Sequence, residues 1–235
     1  YSINTVSISS LPVDFIIFSS GAGINRHPDG QLIRRTGLEA HQVNQAIHIL
    51  QTNKLDFMVH RPIPDNHAFS YFESTNDNAD FKRRIEIYHQ FAKPLDTDAD
   101  GFHMATQLLA VIPPDDSRPW IQTLREALPD FNIIQTTSPL DGRSTWIEIF
   151  PVAVSKSLAA AWLAEGFHLE INSVLSVGND YNDLDLLEWA GSSFAVANAP
   201  PELTDRFPTV ASNDECGVAE AITRWLASNQ FNKSE

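Results

Sequence analysis

The sequence predicts an α/β protein that combines a parallel sheet with a second, α+β lobe. After Pro151 the pattern alternates between helix and strand, which is typical of βαβ units on a parallel sheet. Before it, helices mix with paired strands. With 235 residues and 43% apolar content, the chain is long and apolar enough to form one sizeable core and a smaller lobe. We therefore predict a discontinuous core of residues 1-30 and 150-235, interrupted by a lobe of residues 31-149.

Local patterns justify these two regions. A run of aromatic and β-branched residues at 15–18, followed by Ser19, Ser20 and Gly21, predicts a short strand that ends in a turn. In the lobe, helices are predicted at 38–50, 79–91 and 120–128, and strands at 55–59, 68–72, 107–112, 131–136 and 145–150. Turn residues between the last two strands predict a hairpin. In the second part of the core, helices are predicted at 155–164, 184–190 and 218–227, and strands at 174–177 and 194–197.

Composition excludes several classes of partner. A net charge of -14 and a pI near 4.8 disfavour binding to nucleic acid, because the field of the protein repels phosphate backbones. No run of apolar residues is long enough to span a membrane. The single cysteine, Cys216, excludes an internal disulfide, so we expect a cytoplasmic protein. The chain starts at Tyr1 without a signal peptide, and we expect this start to be a truncation. Oligomeric state is left without a prediction.

Two polar motifs follow predicted strands and are candidates for a functional site. The loop Gly178 to Asp183 comes directly after the strand at 174–177, and the carboxyl ends of parallel strands line the ligand crevice. Its carboxylates and amides suit magnesium, although Asp183 is also a plausible helix N-cap. Lys156 lies in the first turn of the next predicted helix upstream, where the helix dipole disfavours a cation. A bound phosphate or a carboxylate would offset this unfavourable interaction between the lysine and the helix dipole. The alternative is that Lys156 is a solvated surface residue.

These motifs resemble the last two motifs of phosphatases of the haloacid dehalogenase superfamily, in particular the Cof-like branch of subfamily IIB. The family lysine follows a strand similar to IEIFPVAVSK, which places Lys156 on it. The family's GDxxND loop matches Gly178 to Asp183, and its closing strand matches Ala195 to Ala199. The stretch from Leu11 to Ile24 is similar to the strand and turn that follow the family's second motif.

The resemblance implies a Rossmann-like core with an inserted α+β cap, and a magnesium-dependent phosphatase. An aspartate attacks a phosphate monoester, a second aspartate protonates the leaving group, and water hydrolyses the aspartyl-phosphate. The resemblance implies a small phosphorylated metabolite as the substrate, with phosphosugars as the expected class. The implied site residues are these: Lys156 and Asp183 as catalytic residues, Lys156, Asn182, Ser20 and Gly21 on the substrate, and Asn179, Asp180 and Asp183 on the metal.

The chain departs from the family pattern in two places. Asn179 replaces the first aspartate of GDxxND, so Asp180 or Asp183 is expected to supply the charged ligand. The family's first motif, DxDGT, which carries the nucleophile, is not found before Phe15. The run Asp98 to Gly101 contains DxDG, but no predicted strand presents it, and a solvated acidic turn explains it better. A protein that binds a phosphate or metabolite without turnover is therefore the alternative hypothesis.

Other polar residues point to no further chemistry. The second family motif is expected before Tyr1, with Ser19 or Ser20 as weaker candidates. His60, His67 and His103 fall in the predicted cap without metal-binding spacing, so we expect ordinary surface or core histidines.

Overall fold

A computed structural model describes residues 12–75, 77–96, 104–116 and 118–231. The chain divides into two compact units, unit 1 from Tyr1 to Ser155 and unit 2 from Lys156 to Glu235. The predicted division into a core of residues 1-30 and 150-235 and a lobe of residues 31-149 stays a prediction.

Unit 1 is built mainly from antiparallel strands. Its strands are β1 (Phe15–Phe18), β2 (Gly23–Arg26), β3 (Leu32–Arg35), β4 (Leu38–Glu39), β5 (Asp56–His60), β6 (Phe69–Phe72), β7 (Ala92–Pro94), β8 (Met104–Ala105), β9 (Gln107–Ile112), β10 (Phe131–Thr137) and β11 (Thr145–Pro151). Its helices are α1 (Ala40–Thr52), α2 (Ala79–Ile87) and α3 (Trp120–Ala127). Six strands form one sheet in the order β10-β11-β9-β5-β6-β7, in which only β6 and β7 pair in parallel. The other strands form the meander β1-β2-β3 and the pair β4-β8.

Both faces of the six-stranded sheet carry apolar side chains. Successive strand residues point to opposite faces, so each strand supplies two sets of contacts. One set, which includes Phe57, Leu108 and Ile149, packs with Leu50 of α1 and Leu124 of α3. The other set, which includes Met58, Leu109 and Trp146, packs with Phe81 of α2. The sheet therefore lies between helices on its two sides, and β9 is buried along its whole length.

Unit 2 is a small parallel α/β structure. Its strands are β12 (Leu175–Gly178), β13 (Ser192–Val196) and β14 (Thr209–Val210), and its helices are α4 (Lys156–Gly166), α5 (Leu184–Trp189), α6 (Pro201–Thr204) and α7 (Gly217–Phe231). β12 pairs in parallel with β13, and β13 pairs in parallel with β14. The predicted parallel sheet is confirmed. None of the helices in the described part of the chain is long and apolar enough to cross a membrane.

Most predicted elements are confirmed, with shifts at their ends. The strand predicted at 107–112 has these bounds, and the hairpin predicted at 131–150 is the antiparallel pair of β10 and β11. The helix predicted at 79–91 ends earlier, at Ile87, because the chain turns at Tyr88 and continues into β7. Strands β2 and β3 were not predicted, because their mixed polar sequences, GINR and LIRR, show no clear alternation.

Candidate active site

The loop after β12 is closed by two aspartates that cap each other's backbone. The backbone amides of Asn179 and Asp180 donate to Oδ2 of Asp183 over 2.9 and 3.3 Å. In return, Asp180 caps the short 3-10 turn Tyr181–Asp183, and its Oδ1 accepts from the amide of Tyr181 over 2.8 Å. Both carboxylates are buried, at 9% exposure for Asp180 and 7% for Asp183. The loop is therefore a rigid acidic turn at the carboxyl end of a parallel strand.

Asp183 does not act as the predicted side-chain cap of the following helix. It occupies the N-cap position of α5 but makes no side-chain bond to that helix. Instead, Oδ2 of its carboxylate accepts hydrogen bonds from the backbone amides of Asn179 and Asp180 in the preceding loop. This position of the Asp183 side chain requires a glycine at residue 178, since a Cβ there would lie 2.6 Å from Cβ of Asp183.

Lys156 and Asp183 form an ion pair that joins α4 to the loop. The Lys156 ammonium donates to Oδ1 of Asp183, and the lysine side chain is 26% exposed. In the same place the amide of Ser157 donates to Oδ2 of Asp185 over 2.9 Å. The carboxylate of Asp183 thus offsets the cation at the start of α4, as the sequence led us to expect, and the carboxylate of Asp185 satisfies a backbone amide of the same first turn. The lysine and the acidic loop, two separate sequence motifs, meet at one edge of the sheet.

The other predicted site residues lie in different settings. Asn179 is exposed and Asn182 is half-buried, both in the same loop as Asp183. Ser20 and Gly21 belong to unit 1, in the turn between β1 and β2. Among the candidates that sequence reasoning set aside, Asp98, Asp100, Gly101 and His103 lie outside the described residues.

The turn that holds Ser20 adopts a strained backbone. Ser19, Ser20 and Gly21 have φ angles of 48, 51 and 104°, a left-handed conformation that only glycine tolerates well. Two side chains hold it: Ser20 Oγ donates to Oε2 of Glu148 over 2.6 Å, and Asn66 Nδ2 donates to Ser19 Oγ over 2.9 Å. Such strain, about 1 to 3 kcal/mol for each non-glycine residue, persists only where neighbours fix it.

Sequence reasoning missed Glu148 and Asn66. They lie 128 and 47 residues from their partners. Asn66 is part of no motif, and Glu148 lies in the stretch IEIFPVAVSK, where only Lys156 was singled out, so no local pattern joins either residue to the turn.

The loop in unit 2 offers a partial set of magnesium ligands. Both oxygens of Asp183 already have partners in Lys156 and the two amides. Asp180 and the amide oxygen of Asn179 complete the predicted donors. Within the described ranges, no three acidic, histidine or cysteine side chains group as metal ligands. Magnesium commonly takes one or two carboxylates together with water and substrate phosphate, so the residues present fit a site of that type.

Comparison with known proteins identifies relatives. A family model described as haloacid dehalogenase-like hydrolase matches residues 3–222. The chain is 36% identical over 106 residues to a phosphoglycolate phosphatase from Methanothermobacter thermautotrophicus, which is 44% of this chain and 45% of that protein. The matched stretch thus spans less than half of that relative's length.

Solved structures share the fold. A haloacid dehalogenase-like hydrolase from Bacteroides thetaiotaomicron superposes with a TM-score of 0.67 at 20% identity, over 95% of this chain and 80% of that one. A sugar phosphatase of subclass IIB of the same superfamily gives 0.66 at 14% identity, over 91% and 76%. At these identities the likeness concerns the fold alone, and it confirms the predicted fold class.

Proposed function

Because the chain belongs to the haloacid dehalogenase-like hydrolase family, we propose that this protein is a magnesium-dependent phosphatase of small phosphate monoesters, with phosphosugars as the substrate class. The observation that carries the proposal is the ion pair of Lys156 with Asp183 at the carboxyl end of β12. A lysine held there by a buried carboxylate is oriented before substrate arrives. Its ammonium would bind a phosphoryl oxygen and stabilise the charge that develops during transfer.

The remaining loop residues complete this proposal. Asp180 and Asn179 would bind magnesium, and Asp183 would contribute to the metal site while holding Lys156 and the two loop amides in place. When bound, magnesium supplies positive charge that lowers the repulsion between a phosphate and an attacking carboxylate. Asn182, in the same loop, is proposed to contact the substrate.

The nucleophile is proposed to be an aspartate outside residues 1–235. This sequence contains no DxDGT motif. Among the described strands β12 pairs only with β13, so its second edge could accept a further strand. In the proposed reaction the aspartate attacks phosphorus, the ester bond breaks, and a second aspartate, in its protonated carboxylic acid form, donates its proton to the leaving oxygen. Water then hydrolyses the aspartyl-phosphate.

The proposed substrate class is based on the names of two similar proteins. One is named for a small phosphorylated acid and another for phosphosugars, and the resemblance of this chain to both supports a small polar ester. A cytoplasmic location, expected from the single cysteine, agrees with such a metabolite and forms part of the proposal.

A second candidate function is a binding protein without turnover. Asn179 favours it, because an amide in the place of a family aspartate removes one negative charge from the metal site. Both functions use Lys156 to bind phosphate, and they differ in whether the ester is cleaved.

Replacing Lys156 tests the proposed function. In a longer form of the protein that carries DxDGT, Lys156→Ala is expected to lower magnesium-dependent turnover of p-nitrophenyl phosphate by a hundredfold or more, on the scale of losing a main charge stabiliser. The matched control is Lys82→Ala, which removes an exposed pair with Glu73 (Nζ to Oε1 3.6 Å) and should leave the rate within twofold.

The same measurement separates the two functions. A longer form with DxDGT that binds phosphate but shows no turnover would favour the binding protein. An unchanged rate in Lys156→Ala would remove this lysine from the mechanism. Repeating the assay on a panel of phosphorylated metabolites, with and without magnesium, would identify the substrate and the metal requirement.

A further inference from the structure

Two neighbouring contacts join the first turn of α4 to the start of α5 within unit 2. The ammonium of Lys156, the first residue of α4, donates to Oδ1 of Asp183. The next backbone amide along α4, that of Ser157, donates to Oδ2 of Asp185 over 2.9 Å. The two donors are adjacent in sequence and the two acceptors are two residues apart. The side chain and the backbone of this turn are therefore held by separate carboxylates.

The ion pair with Asp183 fixes only the tip of the Lys156 side chain. That side chain is 26% exposed, and ion pairs in contact with water contribute little, because hydration competes with the pairing and two side chains lose freedom. The stem of a lysine is long and flexible, so the backbone beneath it can shift while the ammonium keeps one acceptor. A fixed position for the ammonium therefore requires a second anchor, on the backbone of α4.

Asp185 supplies this backbone anchor. The first amides of an α-helix have no acceptor within the helix, so an acceptor from outside can hold them. The positive end of the α4 dipole favours a carboxylate in this place, and a hydrogen bond to a charged acceptor is stronger than one to a neutral acceptor. Asp185 lies 28 residues from Ser157 in the sequence, so it links two elements and is not a local cap.

Asp185 is itself held from both sides. It lies in the first turn of α5. Two residues earlier, Asp183 accepts from two amides of the acidic loop. Two residues later, Leu187 is 2% exposed and belongs to the same buried cluster as Ala195 of β13. A close-packed support of this kind does not follow small movements of a neighbouring helix, so Asp185 sets the position of α4 relative to the loop.

A simpler role for Asp185 would be to stabilise α5, since an acidic residue favours the first turn of a helix. α5 has only six residues, so its dipole is small, and the bond from Asp185 runs to α4. Both Ser157 and Asp185 are half-buried, where water competes less with a hydrogen bond than it does at a fully exposed position. The link to α4 is therefore the stronger of the two interactions.

We propose that Asp185 is a positioning residue for Lys156. By holding the backbone of α4 at Ser157, it fixes the place at which the lysine ammonium meets a phosphoryl oxygen. Asp185 acts through the lysine and has no proposed contact with phosphate or metal. The inference rests on the proposed function for the identity of the ligand, whereas the held position of the lysine can be observed without any ligand.

Calorimetric titration of the 235-residue protein with inorganic phosphate, in the presence of magnesium, tests the inference. Asp185→Ala removes the acceptor and should weaken phosphate binding about tenfold, the effect of losing one hydrogen bond to a charged group. Asp185→Asn keeps an oxygen that can accept from the Ser157 amide, so its affinity should stay within about threefold of the natural sequence. The matched control is Glu188→Ala, which removes an exposed carboxylate of the same helix, paired with Arg206, and should stay within about twofold.

The sign of the effect separates positioning from charge. Both substitutions of Asp185 remove the same negative charge, and losing a negative charge near an anion site by itself favours the anion. Weaker binding in Asp185→Ala, with near-natural binding in Asp185→Asn, therefore reports the lost anchor. Equal weakening in the two variants would overturn the inference, because only asparagine offers the Ser157 amide an acceptor.

A measurement without phosphate distinguishes failure of this inference from failure of the proposed function. In ¹⁵N NMR of the 235-residue protein, an ammonium held by Asp183 should exchange with water slowly enough to give a separate signal, which is assigned by its loss in Lys156→Ala. We expect this signal to disappear in Asp185→Ala and to remain in Asp185→Asn. If the natural protein binds no phosphate but the signal follows this pattern, the proposed function fails and the positioning role of Asp185 stands.

Three results would contradict the positioning role. These are unchanged phosphate affinity in Asp185→Ala, a Lys156 signal that persists in that variant, and the lack of a Lys156 signal in the natural sequence, which would show that the lysine is not held. If Asp185→Ala does not fold, Asp185→Ser takes its place with the same expected results. Serine keeps a polar residue in the first turn of α5 but is too short to reach the Ser157 amide.

Discussion

A neutral histidine buried in unit 1 makes the stability of this protein sensitive to pH. The pKa of His60 falls from 6.5 to about 3 on folding, chiefly through burial. Between these values the unfolded chain binds a proton that the folded chain does not. The contribution of His60 to the free energy of unfolding is therefore largest above pH 6.5 and falls as the pH drops below it, by up to about 1.4 kcal/mol per pH unit.

Urea unfolding between pH 7 and pH 4.5 measures this effect. Over that range we expect His60→Asn to lose roughly 2 kcal/mol less stability than the natural sequence, because its side chain does not titrate. The comparison is His89→Asn, since His89 is exposed on the surface of unit 1 and its Nδ1 lies near the carbonyl of Glu86. Equal slopes for the natural sequence and His60→Asn would show that His60 takes up its proton over the same pH range in the folded and the unfolded chain, which would contradict the lowered pKa.

The residue scale also shows what a sequence can and cannot reveal about the site. Lys156 and Asp183 each belong to a short motif beside a strand, and parallel strands bring such motifs to one edge, so their meeting was predictable. His60 belongs to no motif, and the environment of its ring depends on Asn66 and Arg84, which the fold of unit 1 brings close to it. Its interpretation as an ordinary core histidine was reasonable from spacing alone.

At the scale of elements, the junction of β12 with its loop depends on one glycine. A Cβ at Gly178 would lie 2.6 Å from Cβ of Asp183 and 2.9 Å from Cδ1 of Leu187. Gly178→Ala should therefore push Asp183 away from the loop amides and from Lys156. We expect a loss of about 1 to 3 kcal/mol in the free energy of unfolding. We also expect weaker binding of inorganic phosphate, measured by calorimetry.

A second glycine in unit 2 provides the control. Gly166 ends α4, and a Cβ there would meet no atom within 4 Å. Gly166→Ala should be neutral or slightly stabilising, by less than about 1 kcal/mol. Equal effects of the two substitutions would mean that the loop adjusts to the added methyl group, and that the close approach at Gly178 does not fix the position of Asp183.

Helices and strands marked by a clear pattern in their own sequence were predictable. Strands that form only because they pair with another strand were not. β10 and β11 are bounded by turn residues and rich in β-branched residues, and they form the predicted hairpin. β7 has only three residues, AKP, and exists because it pairs with β6. No propensity of its own marks such a segment as a strand, because its hydrogen bonds come from a neighbour that is distant in sequence.

At the scale of the whole molecule, having the fold of the family does not by itself give this chain the activity of the family. The chain has the fold of its family, shown by the family match over residues 3–222 and by the structural neighbours. A fold alone does not supply a nucleophile. In the proposed function Lys156 and the acidic loop bind phosphate and a metal, and the group that accepts the phosphoryl group is an aspartate outside this sequence. Binding and turnover are therefore expected to depend on different parts of the polypeptide.

This separation predicts the behaviour of the 235-residue protein. With magnesium present, it should bind inorganic phosphate through Lys156 but show no turnover of p-nitrophenyl phosphate above background, because it lacks the DxDGT motif that is proposed to carry the nucleophile. A longer form that carries DxDGT should turn the ester over, and replacing the first aspartate of that motif by asparagine should abolish turnover while phosphate binding remains. Robust turnover by residues 1–235 alone would place the nucleophile within this sequence, and the acidic run at Asp98 would then become the first candidate to replace.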